Sequence, residues 1–385
     1  MKHCGKKNKE TEVLLFSDSS QLPTAWNDFV PEGHFLQSRQ LCVTENSSLP
    51  DISFLYALVT INDIPMLAAG FQLLNLRAEH INSKIVAPWK YAAWQMFTTL
   101  ARPRLLVGGH LFRHDVNSVF CNGRISAYDS YTYYKLAIEK AMAISRASAV
   151  LIKDMPQHLD KYFCNYEPQY LMLRNDISME MELPVQWRNI NDYEHALKHK
   201  YAQRYRKIRD RWHELDIREL NTREVVENGP ALYELYRQVT NHQSVRIGFI
   251  SPGFLPLLKQ SDDRLKVWGI YEDGMLIGFF SAWVYDKAFD MFYIGFDYKK
   301  NKEYNLYFNI LFFAVEQAIK LGKPKLILGR TALDAKARLG CKPRYLGTFL
   351  YIKNRFVRTR IMQMQRSAAD NEGVWEDKHP FRKTN

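Results

Sequence analysis

The sequence predicts an α/β protein with mixed sheets, built as two tandem units. Three observations predict it. Apolar runs joined by tight turns occur once near the N-terminus and again past the middle of the chain. Each hairpin is followed by a strand-like run, a helical stretch and a short apolar run. Hairpins make antiparallel neighbours and strand–helix–strand units make parallel ones, so each unit needs a mixed sheet. A length of 385 residues suits two domains.

The elements follow in order. The first ten residues are Lys-rich and lack an apolar stretch, so residues 1–12 are expected as a mobile tail without a secretory leader. Residues 54–60 and 66–74 flank Ile61-Asn62-Asp63-Ile64-Pro65 as a hairpin. Residues 104–112 read as a strand, 131–147 as a helix and 149–153 as a strand, with extra chain at 82–103. In the second copy, residues 265–271 and 275–284 flank Glu272-Asp273-Gly274, and Asp-Gly favours the hairpin turn. Residues 289–296 form the next strand, 305–321 a helix stopped by Gly322, and 325–328 a strand. The units are placed at 13–185 and 186–358, with a polar mobile tail at 359–385.

Composition excludes several classes. A hydrophobic share of 46% with 14% aromatics supplies a core and excludes disorder of the whole chain. No apolar run is long enough to span a membrane as a helix. The five cysteines are odd in number and form no CxxC pair, against a disulfide framework or zinc knuckle. A reducing cytoplasm is expected, with the inner face of the membrane left open. The excess of 53 basic over 41 acidic residues favours phosphate-bearing molecules, RNA or an anionic membrane surface.

Between the units lies a basic helix, placed at 196–213. Tyr201, Tyr205, Ile208 and Trp212 form one apolar stripe, and Asp210 is the only acid from Lys198 to Arg211. Lys200, Arg204, Lys207 and Arg211 are the candidate contacts to RNA phosphates or lipid headgroups. A packed stripe with merely solvated charges is the competing reading.

Four stretches carry a family likeness. They are Lys200–Arg209; Leu232-Tyr233-Glu234-Leu235-Tyr236 with Arg246-Ile247-Gly248-Phe249; Tyr293-Ile294-Gly295-Phe296-Asp297; and Gly329-Arg330-Thr331 with Lys336-Ala337-Arg338-Leu339-Gly340. Their order and spacing resemble the GNAT acyltransferase superfamily in tandem form. The likeness extends to Fem-type peptidoglycan-bridge aminoacyltransferases and related bacterial N-acyltransferases. The resemblance implies two tandem GNAT-like domains and transfer of an acyl or aminoacyl group to a primary amine. The implied co-substrate is acyl-CoA or aminoacyl-tRNA, with no tightly bound cofactor. The acceptor is a small-molecule or peptide amine, and tRNA and an anionic membrane stay open as partners. One departure stands out: Lys299-Lys300-Asn301-Lys302-Glu303-Tyr304 holds no glycine where CoA-dependent relatives carry a Gly-rich phosphate loop.

The chemistry needs a neutral amine, donors for an oxyanion and a proton for the leaving group. Lys336 matches the lysine of the Lys-x-x-apolar-Gly motif, which implies a place at the reacting carbonyl or a phosphate. Asp297, at the end of strand 289–296, is a candidate proton acceptor, and Tyr293, within that strand, a candidate donor. Arg330 and Thr331 follow the last strand of the unit, where ligands gather in α/β sheets. Arg338 completes that group, although a structural role suits it better. Lys299, Lys300 and Lys302 with Asn305 stand where a phosphate would meet a helix N-terminus. His195 and His199 carry no metal motif, and Cys341 has no assignable histidine partner. The rival function is a non-catalytic module that docks its basic helix on RNA or a membrane.

Overall fold

The computed structural model describes residues 11–113, 116–173, 176–371 and 378–382. The strands of the first half are β1 (Thr11–Phe16), β2 (Ile52–Ile61), β3 (Ile64–Asn75), β4 (Arg104–Gly108), β5 (Val119–Cys121), β6 (Ala149–Ile152) and β7 (Leu171–Met172). Those that follow are β8 (Ile177–Glu182), β9 (Asp216–Glu219), β10 (Leu265–Glu272), β11 (Met275–Val284), β12 (Phe289–Phe296), β13 (Lys325–Gly329), β14 (Lys342–Tyr345) and β15 (Phe349–Ile352). They form two mixed sheets. The first runs β1-β2-β3-β4-β6-β15-β7 with β5 also on β3; the second runs β14-β8-β13-β12-β11-β10-β9.

The expected duplication is visible in the topology. Each sheet has a long hairpin, β2–β3 or β10–β11, and one parallel pair, β4–β6 or β12–β13. Positive φ at Asn62 and Asp63, and at Asp273 and Gly274, lets two tight turns follow the strand twist. The helices crossing between parallel strands are Ala127–Ser145 and Leu306–Lys320. Ser126 caps the first by accepting from the Asp129 N–H.

The sheets do not follow the expected division at 185/186. β8 precedes that point yet lies in the second sheet, and β15 returns from the far end of the chain to the first. Backbone pairing of β15 with β6 and of β8 with β13 therefore stitches the halves together. Sequence periodicity cannot show this, because a strand of four or six residues carries no label for the sheet it joins.

Both sheets are covered by helices. Helix Leu306–Lys320 and the basic helix His199–Arg209 cover one face of the second sheet through Tyr205, Ile208, Ile310, Phe313 and Leu326. On the opposite face, helices Gly229–Thr240 and Phe254–Ser261 pack with β10–β12, joined there by Leu49 and Phe112 of the first half. Gly295 marks the tightest approach: a Cβ there would sit 2.5 Å from the Tyr236 nitrogen of helix Gly229–Thr240.

Three expectations need correction. Thr11 and Glu12 are not tail but the start of β1, opposite Ile61 and Thr60; the other expected tail residues, 1–10, lie outside the described residues. The basic helix is not continuous over 196–213. Leu197 pairs with Phe381 and the Lys198 N–H donates to the Pro380 carbonyl, so extended backbone interrupts the helical segments at that point. The segment after 358 is not simply a loose tail either. Residues 355–371 are helical, and Phe381 packs on Trp187 and Tyr193; residues 372–377 and 383–385 lie outside the described residues.

Phe381 also defines the role of Gly340. Gly340 has φ +112°, and a Cβ there would lie 2.3 Å from the Phe381 ring. Gly340→Ala is expected to destabilise the fold by about 2 kcal/mol or more in chemical denaturation. Part of that loss should disappear when the same change is made in a Phe381→Ala background, because the ring contact is then absent.

Candidate active site

The two parallel pairs differ in one respect. β4 and β6 stay paired over four residues, from Leu105 with Ala149 to Gly108 with Ile152. β12 and β13 pair only at Phe289 with Leu326 and Asp290 with Ile327, and then diverge. The divergence opens a cleft of about 610 Å³ in the second sheet. Its walls are Met291–Ile294 and Phe296 of β12, the chain from Leu328 to Ala332 and Lys336, residues 243 and 245–249, and Tyr298, Asn301 and Tyr307.

The strand presents backbone donors to this space. Tyr293 and Asp297 direct their N–H groups to the β11 side, onto Ser281 Oγ and the Ile277 carbonyl. Strand alternation between them then places the N–H group of Ile294 on the cleft side, where β13 has already turned away.

Lys336 is 3% exposed and lines the cleft from helix Leu333–Ala337. Among the described residues its ammonium makes no hydrogen bond or ion pair. Burial pulls its pKa down to about 8, with the Cys341 thiol acting weakly the other way. Cys341 itself is buried, which pushes its thiol up to about 12 and keeps it neutral, a poor nucleophile.

Tyr293 lines the same cleft, and its hydroxyl donates to the Phe112 carbonyl at 3.3 Å. Burial raises its pKa well above the usual phenol range, so it remains a neutral donor. Arg330 and Thr331 also line the cleft. Arg330 is ion-paired with Asp154 and lies 3.4 Å from Asp176, two acids from before the second unit. Its Nε is buried without a partner. The guanidinium thus clamps the halves together at the cleft wall. Next to it, Lys153 donates to the His110 carbonyl, and burial and Arg330 lower its pKa to about 8.

Other expected site residues are not brought together. Asp297 is the N-cap of helix Tyr298–Tyr304, where its carboxylate accepts from the N–H groups of Lys299 and Lys300; it does not line the cleft. Lys300 pairs with Glu272 at 2.6 Å and with Glu303 at 3.4 Å. Asn305 adopts a left-handed conformation between two helices, and Asn301, not Asn305, caps the following helix by accepting from the Tyr307 N–H. A pyrophosphate does not fit this turn: a carboxylate already holds its first N–H groups, and one of its lysines is matched by two glutamates. Arg338 pairs with Asp334 at 2.8 Å, outside the cleft.

Lys200, Arg204 and Lys207 of the basic helix are exposed, whereas Arg211 lies beyond its end and is held by Glu214 and Glu303. Arg206 and Arg209 find Glu194 and Glu316. Acids outside the stretch therefore neutralise several charges of a segment in which Asp210 is the only acid. The cleft also holds residues that were not among the expected site residues, among them Tyr236, Arg246 and Asn301. The Arg246-Ile247-Gly248-Phe249 string was a visible signal for that wall. Asn301 gave none, being an ordinary polar residue in a lysine-rich turn.

The chain matches no known family model and no curated protein. Its fold is similar to several solved structures. A tandem GNAT protein from the clavulanic acid biosynthesis pathway is 10% identical, with 90% of this chain and 99% of that chain covered at a TM-score of 0.48. FemX is 10% identical over 83% of this chain and 92% of its own, at 0.43. A GCN5-related N-acetyltransferase from Kribbella flavida is 9% identical over 89% of this chain and 71% of its own, at 0.46.

A buried, unpaired lysine has a measurable signature. Unfolded, Lys336 holds its proton up to its usual range; folded, it releases it near pH 8. The charge therefore destabilises the fold fully below about pH 8, and the penalty fades as pH rises above it. Lys336→Met is expected to stabilise the protein at pH 7 by about 2–3 kcal/mol and to flatten the gain in stability above pH 8. Urea titrations across that range read both effects.

Proposed function

We propose that the cleft transfers an acyl or aminoacyl group from an activated ester or thioester to a primary amine. The observation that carries this reading is the early divergence of β12 from β13, with Lys336 buried and unpaired in the opening. A carbonyl laid along β12 meets the N–H group of Ile294, which stabilises the oxyanion of a tetrahedral intermediate.

The amine nitrogen attacks the carbonyl carbon, forming the C–N bond. Neutral Lys336 takes the proton that the nitrogen sheds. As the intermediate collapses, the C–S or C–O bond breaks and Lys336 returns that proton to the leaving sulfur or oxygen. A lysine titrating near pH 8 serves both steps, because both of its forms are populated near neutrality. Tyr293 fixes the wall opposite by its bond to Phe112. The donor is not held by a pyrophosphate at the 297–305 turn, whose N–H groups and lysine are already engaged. This favours a charged tRNA or carrier-bound acyl donor over free acyl-CoA.

The experiment is a transfer assay read by mass spectrometry. Acyl-CoA, acyl carrier protein and charged tRNA are each offered with lysine, an amino sugar and a short peptide as acceptors. Product is expected with at least one donor, with kcat/KM rising through about pH 8. Lys336→Met should lower kcat/KM by about 10²–10⁴ and remove that limb of the profile. Unchanged kcat/KM in this variant, or no transfer and no binding of any donor, would overturn the reading.

A further inference from the structure

We propose that one end of the first sheet docks on an anionic lipid bilayer, through the helix Pro88–Ala101 and the start of the helix Arg355–Asn371. This stands independently of the chemistry in the cleft.

The helix Pro88–Ala101 is turned the wrong way for a core helix. Its inward side is formed by Tyr91, Trp94 and Thr98; Thr98 is buried, and the Trp94 indole donates to the Arg77 carbonyl. Its outward side carries Trp89, Met96, Phe97 and Leu100, which are 70%, 62%, 46% and 78% exposed. Spacings of seven, one and three keep these four on one stripe of the helix. An amphipathic helix normally buries that stripe; here it faces solvent.

A second apolar–basic element emerges at the same end of the sheet. The Ser148 N–H donates to the Arg104 carbonyl, and the Lys353 N–H donates to the Ser148 carbonyl. These bonds set the start of β4, the start of β6 and the end of β15 side by side. The helix Pro88–Ala101 leads directly into β4, and β15 leads into the helix Arg355–Asn371. The latter opens with Phe356, 74% exposed, and Val357, 46% exposed, among Arg355, Arg358 and Arg360.

Charge selects the occupant. No acid occurs between Glu79 and Asp115, nor between Asp334 and Asp370. Lys90 and Arg102 flank the first apolar stripe, and the three arginines flank the second. A second copy of this face would set like charges against each other. A bilayer offers anionic headgroups with hydrocarbon directly beneath them, which suits aromatic and aliphatic tips interleaved with basic groups. No helix among the described residues is long and apolar enough to cross a membrane, so the contact is with its surface.

The segment that leads into this helix is tethered to the cleft. Asn82 donates from Nδ2 to the carbonyls of Asn241 and Gln243, and the Arg246 N–H donates to the His80 carbonyl. Gln243 and Arg246 line the cleft, so docking brings that wall towards the bilayer.

The test is co-sedimentation of the full chain with vesicles of phosphatidylcholine alone or mixed with phosphatidylglycerol. Binding is expected to the mixed vesicles and to fall with added salt. A Phe97→Asp, Leu100→Asp double variant should bind about tenfold more weakly or less, with unchanged circular dichroism, since both side chains are exposed. Lys90→Glu with Arg355→Glu should reduce binding to the mixed vesicles. Failure of the wild type to bind mixed vesicles, or equal binding by the apolar variant, overturns the proposal. Lipid-free self-association that the apolar variant abolishes would equally overturn it and name a second copy as the occupant.

Discussion

Beyond Asp290 and Ile327, β12 and β13 cease to share hydrogen bonds, and the cleft exists because of that. Several contacts hold β12 in its course. The β11–β12 register shifts between Phe280 and Ala282, and Ser281 Oγ takes the Tyr293 N–H in place of a ladder carbonyl. Such a bulge bends a strand and increases its twist. Helix Gly229–Thr240 lies against Gly295, where no side chain could intervene. On the other side, β13 is held by β8. The equivalent strands of the first half have no such divergence, and Lys153 continues their ladder by donating to the Gly108 carbonyl. One fold plan therefore yields an opening in one half and a closed sheet in the other.

The cationic groups around the opening differ in how they are satisfied. Arg330 is matched by two carboxylates and acts as a clamp. Lys300 and Arg211 are matched by glutamates at the protein surface, where such pairs contribute little stability. Lys336 alone of these four groups combines burial with an unmatched ammonium, and its lowered pKa follows from that combination. A group held in a costly state by the fold is a stronger mark of chemistry than a group that is merely charged.

The halves cannot be treated as separable bodies. β8 and β15 exchange sheets, Leu49 and Phe112 enter the core beneath β10–β12, and Arg330 reaches back to Asp154 and Asp176. Tyr293 in the cleft likewise leans on Phe112 of the first half. The first half thereby supports the wall of the opening formed in the second.

Much of the local structure was legible in the sequence. The hairpins, the crossing helices and the final strand of each copy followed from alternation, from Asp273-Gly274 and from the stop at Gly322, because such signals act over a few residues. The stripe Tyr205, Ile208 and Trp212 pointed to its buried face for the same reason. The cleft could be anticipated at the ends of strands 289–296 and 325–328, and Lys336, Tyr293, Arg330 and Thr331 do line it. Tertiary structure decided the rest. It made Asp297 a helix cap, turned Arg330 into a clamp, set Glu316 against Arg209 of the basic helix, and returned β15 to the first sheet. A charge's role depends on which opposite charge and how much water lie within a few ångströms, and that is set by chain segments up to hundreds of residues away.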